Sequence, residues 1–217
     1  MNQRSLRLRK SPEMKELIWS NLRVTLGSPM SRFKDTTYFD EPGKENTGET
    51  LRLAKERAEE LGIKSIVVAS SSGETGAEAS RVFKGLNLVV VTSVTGYATP
   101  DEVRMRPENR RVIEANGGRV VTAAHAFGSV GRAVHNRFGA IQVDELVANV
   151  LRLFSEGFKV ACEVACMAVD AGYIRTDEEA VAIGGSGGGA DTAIVVKPSN
   201  THTLFEMRVR EIICKPR

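Results

Sequence analysis

Residues 65–81, SIVVASSSGETGAEASR, run from β-branched and small apolar residues into three serines, a glycine, a glutamate, a threonine and a second glycine, and then turn helical. A buried strand that feeds a helix through a hydroxyl-rich turn can bind an anion. Backbone N–H groups and hydroxyls donate to it, and the helix N-terminus adds roughly half a positive charge. Ser70, Ser71, Ser72, Gly73, Thr75 and Gly76 supply the donors and the bend, while Glu74 competes with an anion unless it points away. The bland alternative is capping of the next helix, which needs one hydroxyl where this turn offers several.

GGSGGGAD, beginning at Gly184, is the second chemical feature: five glycines in six positions remove the side chains and let a ligand approach the backbone closely. It is not a dinucleotide fingerprint, because a strand follows it where that motif requires a helix. It does contain G-x-S-x-G with Ser186 as a would-be nucleophile, and Asp191 and His202 follow in the hydrolase order. A nucleophile elbow, however, needs strand–turn–helix, and DTAIVV has strand character. Asp191 lies five residues from Ser186, where it more naturally holds its own turn. His125, His135 and His202 occupy unlike contexts with no metal-ligand spacing, so no metal site is expected.

These loops need a frame, and from Asp35 onward strand-like and helix-like segments alternate, the signature of a parallel sheet with crossover helices. Strands are expected at 36–39, 65–69, 86–93 and 119–125. A helix should run from Asn46, as N-cap with Glu49 in a capping box, to about Leu61, where Gly62 stops it. Thr99, Pro100 and Glu102 look like a helix start, Pro107 like a restart, and Gly117–Gly118 like an end. Residues 129–172 read as largely helical. The stretch from Phe158 is apolar nearly all round, with Lys159 and Glu163 four apart as a structural ion pair. Two strands flank the glycine loop and a last one closes the chain. The expected fold is α/β, three-layer, with a mostly parallel sheet and antiparallel strands towards the C-terminal end.

Ligands of such sheets bind at the carboxyl ends of the parallel strands. Those ends gather Asn46 and Thr47, then Ser70 to Gly76, then Thr92, Thr95 and Gly96, then His125, then Gly184, Gly185, Gly189, Asp191 and Thr192. Four of the five loops offer hydroxyls or bare backbone in place of a set of acids and bases, which suits an acceptor-rich ligand such as a phosphate.

The chain has 217 residues and a formal net charge of +3, but the charge is unevenly spread. Residues 1–34 hold eight Lys/Arg against two acids, and the remainder is mildly acidic, which argues against nucleic acid as partner. No apolar run reaches the roughly 20 residues of a membrane helix, so no membrane partner is expected. Cys162, Cys166 and Cys214 are an odd, unclustered set, which points to the reducing cytoplasm. Residues 1–29 read as a basic, flexible extension upstream of a shorter protein beginning at Met30, with an amphipathic targeting segment as the alternative.

ETLRLAKERAEELGIKSIVVASSSGETGAEASR resembles the C-terminal α/β domain of pyruvate kinase. With YFDEPGKENTGETLRLA, VTG, GGSGGGADTAIVV and REIICKPR, the chain from Tyr38 on resembles the stand-alone proteins called pyruvate kinase C-terminal domain-like. Relatives in that family hold flavin mononucleotide (FMN). The resemblance implies a phosphate on Ser70–Gly76, with Thr95–Gly96, His125 and the 184–192 loop around ribityl and ring. It also departs from relatives that carry an aromatic near Ser72. It implies no pyruvate kinase activity, because the catalytic barrel and its metal-binding acids are absent. The expectation is therefore a cytoplasmic protein binding a phosphorylated small molecule, FMN first, as a monomer or a homo-oligomer. A sensing module for a sugar phosphate or nucleotide and a Ser186 hydrolase are the alternatives.

Overall fold

A central sheet of seven strands orders the chain as β1-β7-β6-β5-β2-β3-β4 in the computed structural model, which describes residues 34–217. The strands are β1 (Thr37–Phe39), β2 (Ser65–Ala69), β3 (Asn87–Thr92), β4 (Arg119–Thr122), β5 (Ala180–Gly184), β6 (Thr192–Lys197) and β7 (Arg208–Pro216). β2 pairs in parallel with both β3 and β5, β3 with β4, and β1 with β7, while β6 runs antiparallel to β5 and β7. One reversed strand in an otherwise unidirectional sheet gathers six carboxyl ends along a single edge. The proposed extension, residues 1–29, lies outside the described residues.

Alternation along the strands builds two cores. Ile66 and Val68 of β2 face one side with Leu88 and Val90, where α1 (Thr47–Leu61), α2 (Glu74–Val82) and α3 (Pro107–Ala115) contribute Leu51, Ala79 and Ile113. Val67 faces the other side with Val89 and Val121, against α6 (Glu156–Asp170). Strands buried on both faces need continuous apolar runs, which SIVVA and NLVVVT supply. α4 (Val130–Phe138) and α5 (Val143–Arg152) connect β4 to α6 and leave Phe138, Val143 and Leu146 exposed. α6 is buried nearly all round, as its composition requires, and is core. The result is the three-layer α/β arrangement, with its antiparallel pairings at the C-terminal end.

Local chemistry departs from the sequence reading at three points. Asn46 occupies the N-cap position of α1, but its side chain makes no capping bond and instead donates to the Glu41 carbonyl at 2.9 Å. Glu49 does not close a capping box either, since Arg52 holds its carboxylate at 2.6 and 2.7 Å. Residues 99–106 form turns in place of a helical start, with Asp101 at φ 65°, and the helix begins at Pro107, whose fixed φ suits a first turn. β4 ends at Thr122, three residues short of His125.

Candidate functional site

At the carboxyl edge, β2 ends at Ala69 and the chain turns through Ser70–Gly73 into α2. Gly73 adopts φ +90°, where a methyl group would collide with Met105 Sδ and lie 2.7 Å from Asn109 Cβ. The Ser72 carbonyl accepts from the Arg106 amide and from Asn109 Nδ2, both at 3.0 Å, so the start of α3 braces the bend. Gly76 lets α2 lie close to the sheet, because a Cβ there would approach Val90 Cγ1 to 2.6 Å.

The three serines have local partners. Ser70 Oγ accepts from the Gly76 amide at 3.0 Å, and Ser72 Oγ accepts from the Glu74 amide at 3.4 Å. Ser93 Oγ donates to Ser71 Oγ at 2.8 Å, and Thr92 Oγ1 donates to the Ser71 carbonyl at 2.8 Å. An accepting hydroxyl still has its own O–H to give, so capping and anion binding are compatible here. Glu74 does not plug the bend: its carboxylate pairs with Arg106 at 2.7 Å.

Beyond the bend opens a cavity of about 630 Å³. Ser70, Ser71, Ser72, Glu74 and Thr75 line one side, Gly185 and Gly187–Gly189 another, and Thr92, Ser93, Tyr97 and His125 a third. The floor is one face of α6, from Glu156 through Lys159, Val160, Glu163 and Val164 to Met167. Those spacings of three and four are a single helical stripe. Lys159 and Glu163 are 5 % and 3 % exposed and pair at 2.6 Å, and Glu163 also accepts from the Phe127 amide at 2.9 Å. The Tyr97 and His125 rings stack at 5.3 Å with an interplanar angle of 14°. His125 Nδ1 lies 3.9 Å from Glu163 Oε1, and Nε2 faces the Val94 amide at 3.4 Å. Burial holds the imidazole below its ordinary pKa. Glu163 acts against that effect, and the Lys159 and Arg132 charges add to it.

Several expected residues stand behind the cavity instead of lining it. Asp191 and Thr192 are fully buried; Asp191 accepts from the Gly43 amide at 3.2 Å, from the Ser186 amide at 3.0 Å and from Thr192 Oγ1 at 2.8 Å. Thr47 Oγ1 accepts from the Ala190 amide at 3.0 Å and donates to the Lys44 carbonyl at 2.6 Å. These bonds tie the glycine loop to the start of α1, and Asn46, bound to Glu41, is part of the same support. Gly184 packs against the Gly157 backbone of α6. Thr95 is exposed, and the Gly96 amide donates to the Glu102 carbonyl at 2.9 Å, shaping the loop that carries Tyr97. Asp191 belongs to its own turn, and His202 lies beside Asp170 at the other end of α6, so Ser186 has no assembled triad.

Sequence reading missed Tyr97, Arg104, Arg106, Arg132, Arg152, Glu156 and the α6 stripe as lining residues. The 156–159–160–163–164–167 spacing was a usable signal; Arg104 and Arg106 lie in turns where spacing carries none, and Arg132 and Arg152 lie on separate helices that only the fold brings to the cavity. Among the described residues, no group of three or more His, Cys, Asp or Glu could hold a metal ion, and no helix is long and apolar enough to cross a membrane.

The family model described as pyruvate kinase, alpha/beta domain, matches residues 49–196 of this chain. Among solved structures, Cryptosporidium parvum pyruvate kinase in complex with ADP is similar over 91% of this chain at 12% identity, with a TM-score of 0.36. The chain spans 27% of that pyruvate kinase.

Proposed function

We propose, for a chain that belongs to the pyruvate kinase α/β domain family, that the carboxyl-edge cavity binds a phosphorylated small molecule, FMN foremost. The observation that carries the reading is the bend at Ser70–Gly73. It opens a helix, is lined by hydroxyls with protons to donate, and has its own glutamate drawn aside by Arg106. A phosphate would be held by the Ser71, Ser72 and Thr75 hydroxyls and the Thr75 amide, because the Glu74 and Gly76 amides already donate to Ser72 Oγ and Ser70 Oγ.

The residues present fit the rest of FMN. A cavity of about 630 Å³ falls within the roughly 300–1,000 Å³ usual for such ligands. The Tyr97–His125 stack offers a planar wall, and Val160, Val164 and Met167 an apolar floor for a ring. Bound flavin supplies hydride and single-electron chemistry of its own. The chain's part is to anchor the phosphate, present the ring to the Tyr97–His125 wall and limit solvent from the α6 side.

Mass spectrometry of the small molecule released on denaturing the purified full-length protein tests this reading. Release of FMN, or saturable binding of added FMN by a colourless preparation, is expected. A protein stabilised against heat by sugar phosphates but not by FMN would move the assignment to a sensing module. Absence of any phosphorylated ligand by either route would remove the reading.

A further inference from the structure

Five cations line the cavity, and three are neutralised in place. Arg106 pairs with Glu74 at 2.7 Å, Arg152 with Glu156 at 2.5 Å, and Lys159 with Glu163 at 2.6 Å. Among the described residues, no carboxylate lies within ion-pair distance of Arg104 or Arg132. Both sit at the same ring: their guanidinium carbons are 6.0 and 5.5 Å from the Tyr97 centroid, and Arg132 Nη1 donates to the Tyr97 hydroxyl at 3.3 Å. The cavity's unbalanced positive charge is thus collected around the Tyr97 ring. Two like charges held near one aromatic ring repel each other, and an anion bound beside them relieves that repulsion. Guanidinium groups braced on an aromatic face keep their remaining N–H donors free for bidentate contact.

We propose that Arg104 and Arg132, steadied by Tyr97, form a second oxyanion subsite that takes the carboxylate or phosphate of an anionic substrate. The proposal rests on the reading above. An oxidised flavin ring is uncharged and its phosphate occupies the hydroxyl bend, so the arginine wall is left for the anionic handle of the molecule that meets it. The substrate class is therefore a small organic acid or phosphate ester. Tyr97 is a positioning residue in this scheme.

Calorimetric titration of the full chain with inorganic phosphate, at constant ionic strength, tests it. Two phosphates are expected per wild-type chain. The R104Q/R132Q variant changes only exposed side chains and should unfold at the wild-type temperature. It is expected to lose one phosphate, or bind it about 10- to 100-fold more weakly. S71A/S72A should lose the other. Acetate that displaces only the arginine-dependent phosphate marks a carboxylate handle, and no displacement marks a phosphate handle. A single phosphate kept by S71A/S72A and lost by R104Q/R132Q supports the subsite while removing the anion from the hydroxyl bend. Unchanged stoichiometry and affinity in R104Q/R132Q, or no phosphate bound by wild type, overturns the subsite.

Discussion

Replacing Lys159 by methionine isolates the cost of the charge pair on the cavity floor. Glu163, 3 % exposed, would keep the Phe127 amide as a donor and lose its cation at 2.6 Å. Removing one partner of a buried pair costs about 3–5 kcal/mol, because the charge left behind is desolvated and uncompensated. For a domain of this size each kcal/mol lowers Tm by roughly 2–4 °C, so K159M should melt on the order of 10 °C below wild type. The double variant K159M/E163Q removes the stranded charge, and glutamine keeps an oxygen for the Phe127 amide. It should return to within about 1 kcal/mol of wild type. Urea denaturation of wild type, both singles and the double gives the coupling; each single strands one buried charge and the double strands none, so the coupling should exceed the cost of either single. If K159M unfolds at the wild-type urea concentration, or E163Q gives no rescue, the ammonium is hydrated through the cavity and the floor is not a buried ion pair.

Other elements give separate outcomes. G73A places a side chain at φ +90° against Met105 and Asn109; it should cost about 1–2 kcal/mol in urea denaturation and weaken phosphate binding, since the bend cannot hold its shape. Asp170 is partly buried, which raises its pKa, yet hydrogen bonds from Thr201 and Asn200 win and hold the carboxyl below its ordinary value. Its stabilising contribution is therefore complete above the usual carboxylate pKa and lost as pH falls through the lowered one; acid titration of D170N should show a flatter low-pH limb. Burial pushes the Cys162 and Cys166 thiols up to about 12 and the Cys214 thiol up to about 11. No thiol among them should react with a disulfide reagent at pH 8 until the protein is unfolded. Rapid labelling of the native protein would contradict that burial.

The apolar periodicity of SIVVA, NLVVVT and the stretch from Phe158 was enough to announce a doubly covered sheet and a buried helix, because burial on both faces allows few other residue types. The capping box at Asn46 failed because Arg52, one turn along α1, competes for Glu49, a choice among exposed partners that pattern does not decide. The strand-end loops were legible, but the division between lining and support was not. Asp191 and Thr192 sit at the strand edge, as expected, and Thr47 opens α1, yet all three spend their hydrogen bonds on holding the glycine loop. Lys159 and Glu163 read as a structural pair from their spacing alone; that their helix face floors the cavity depends on the sheet order, which brings α6 beneath β2 and β5. Arg104 and Arg132 are 28 residues apart in sequence, and a shared tyrosine ring brings them together.

The affinity of the purified chain for FMN, measured beside its affinity for riboflavin by quenching of flavin fluorescence, tests the proposed phosphate site most directly. FMN should bind saturably and about 10- to 100-fold more tightly than riboflavin, with S71A/S72A narrowing the gap. Equal affinity for the two flavins, or binding of neither, would contradict a phosphate site at Ser70–Thr75.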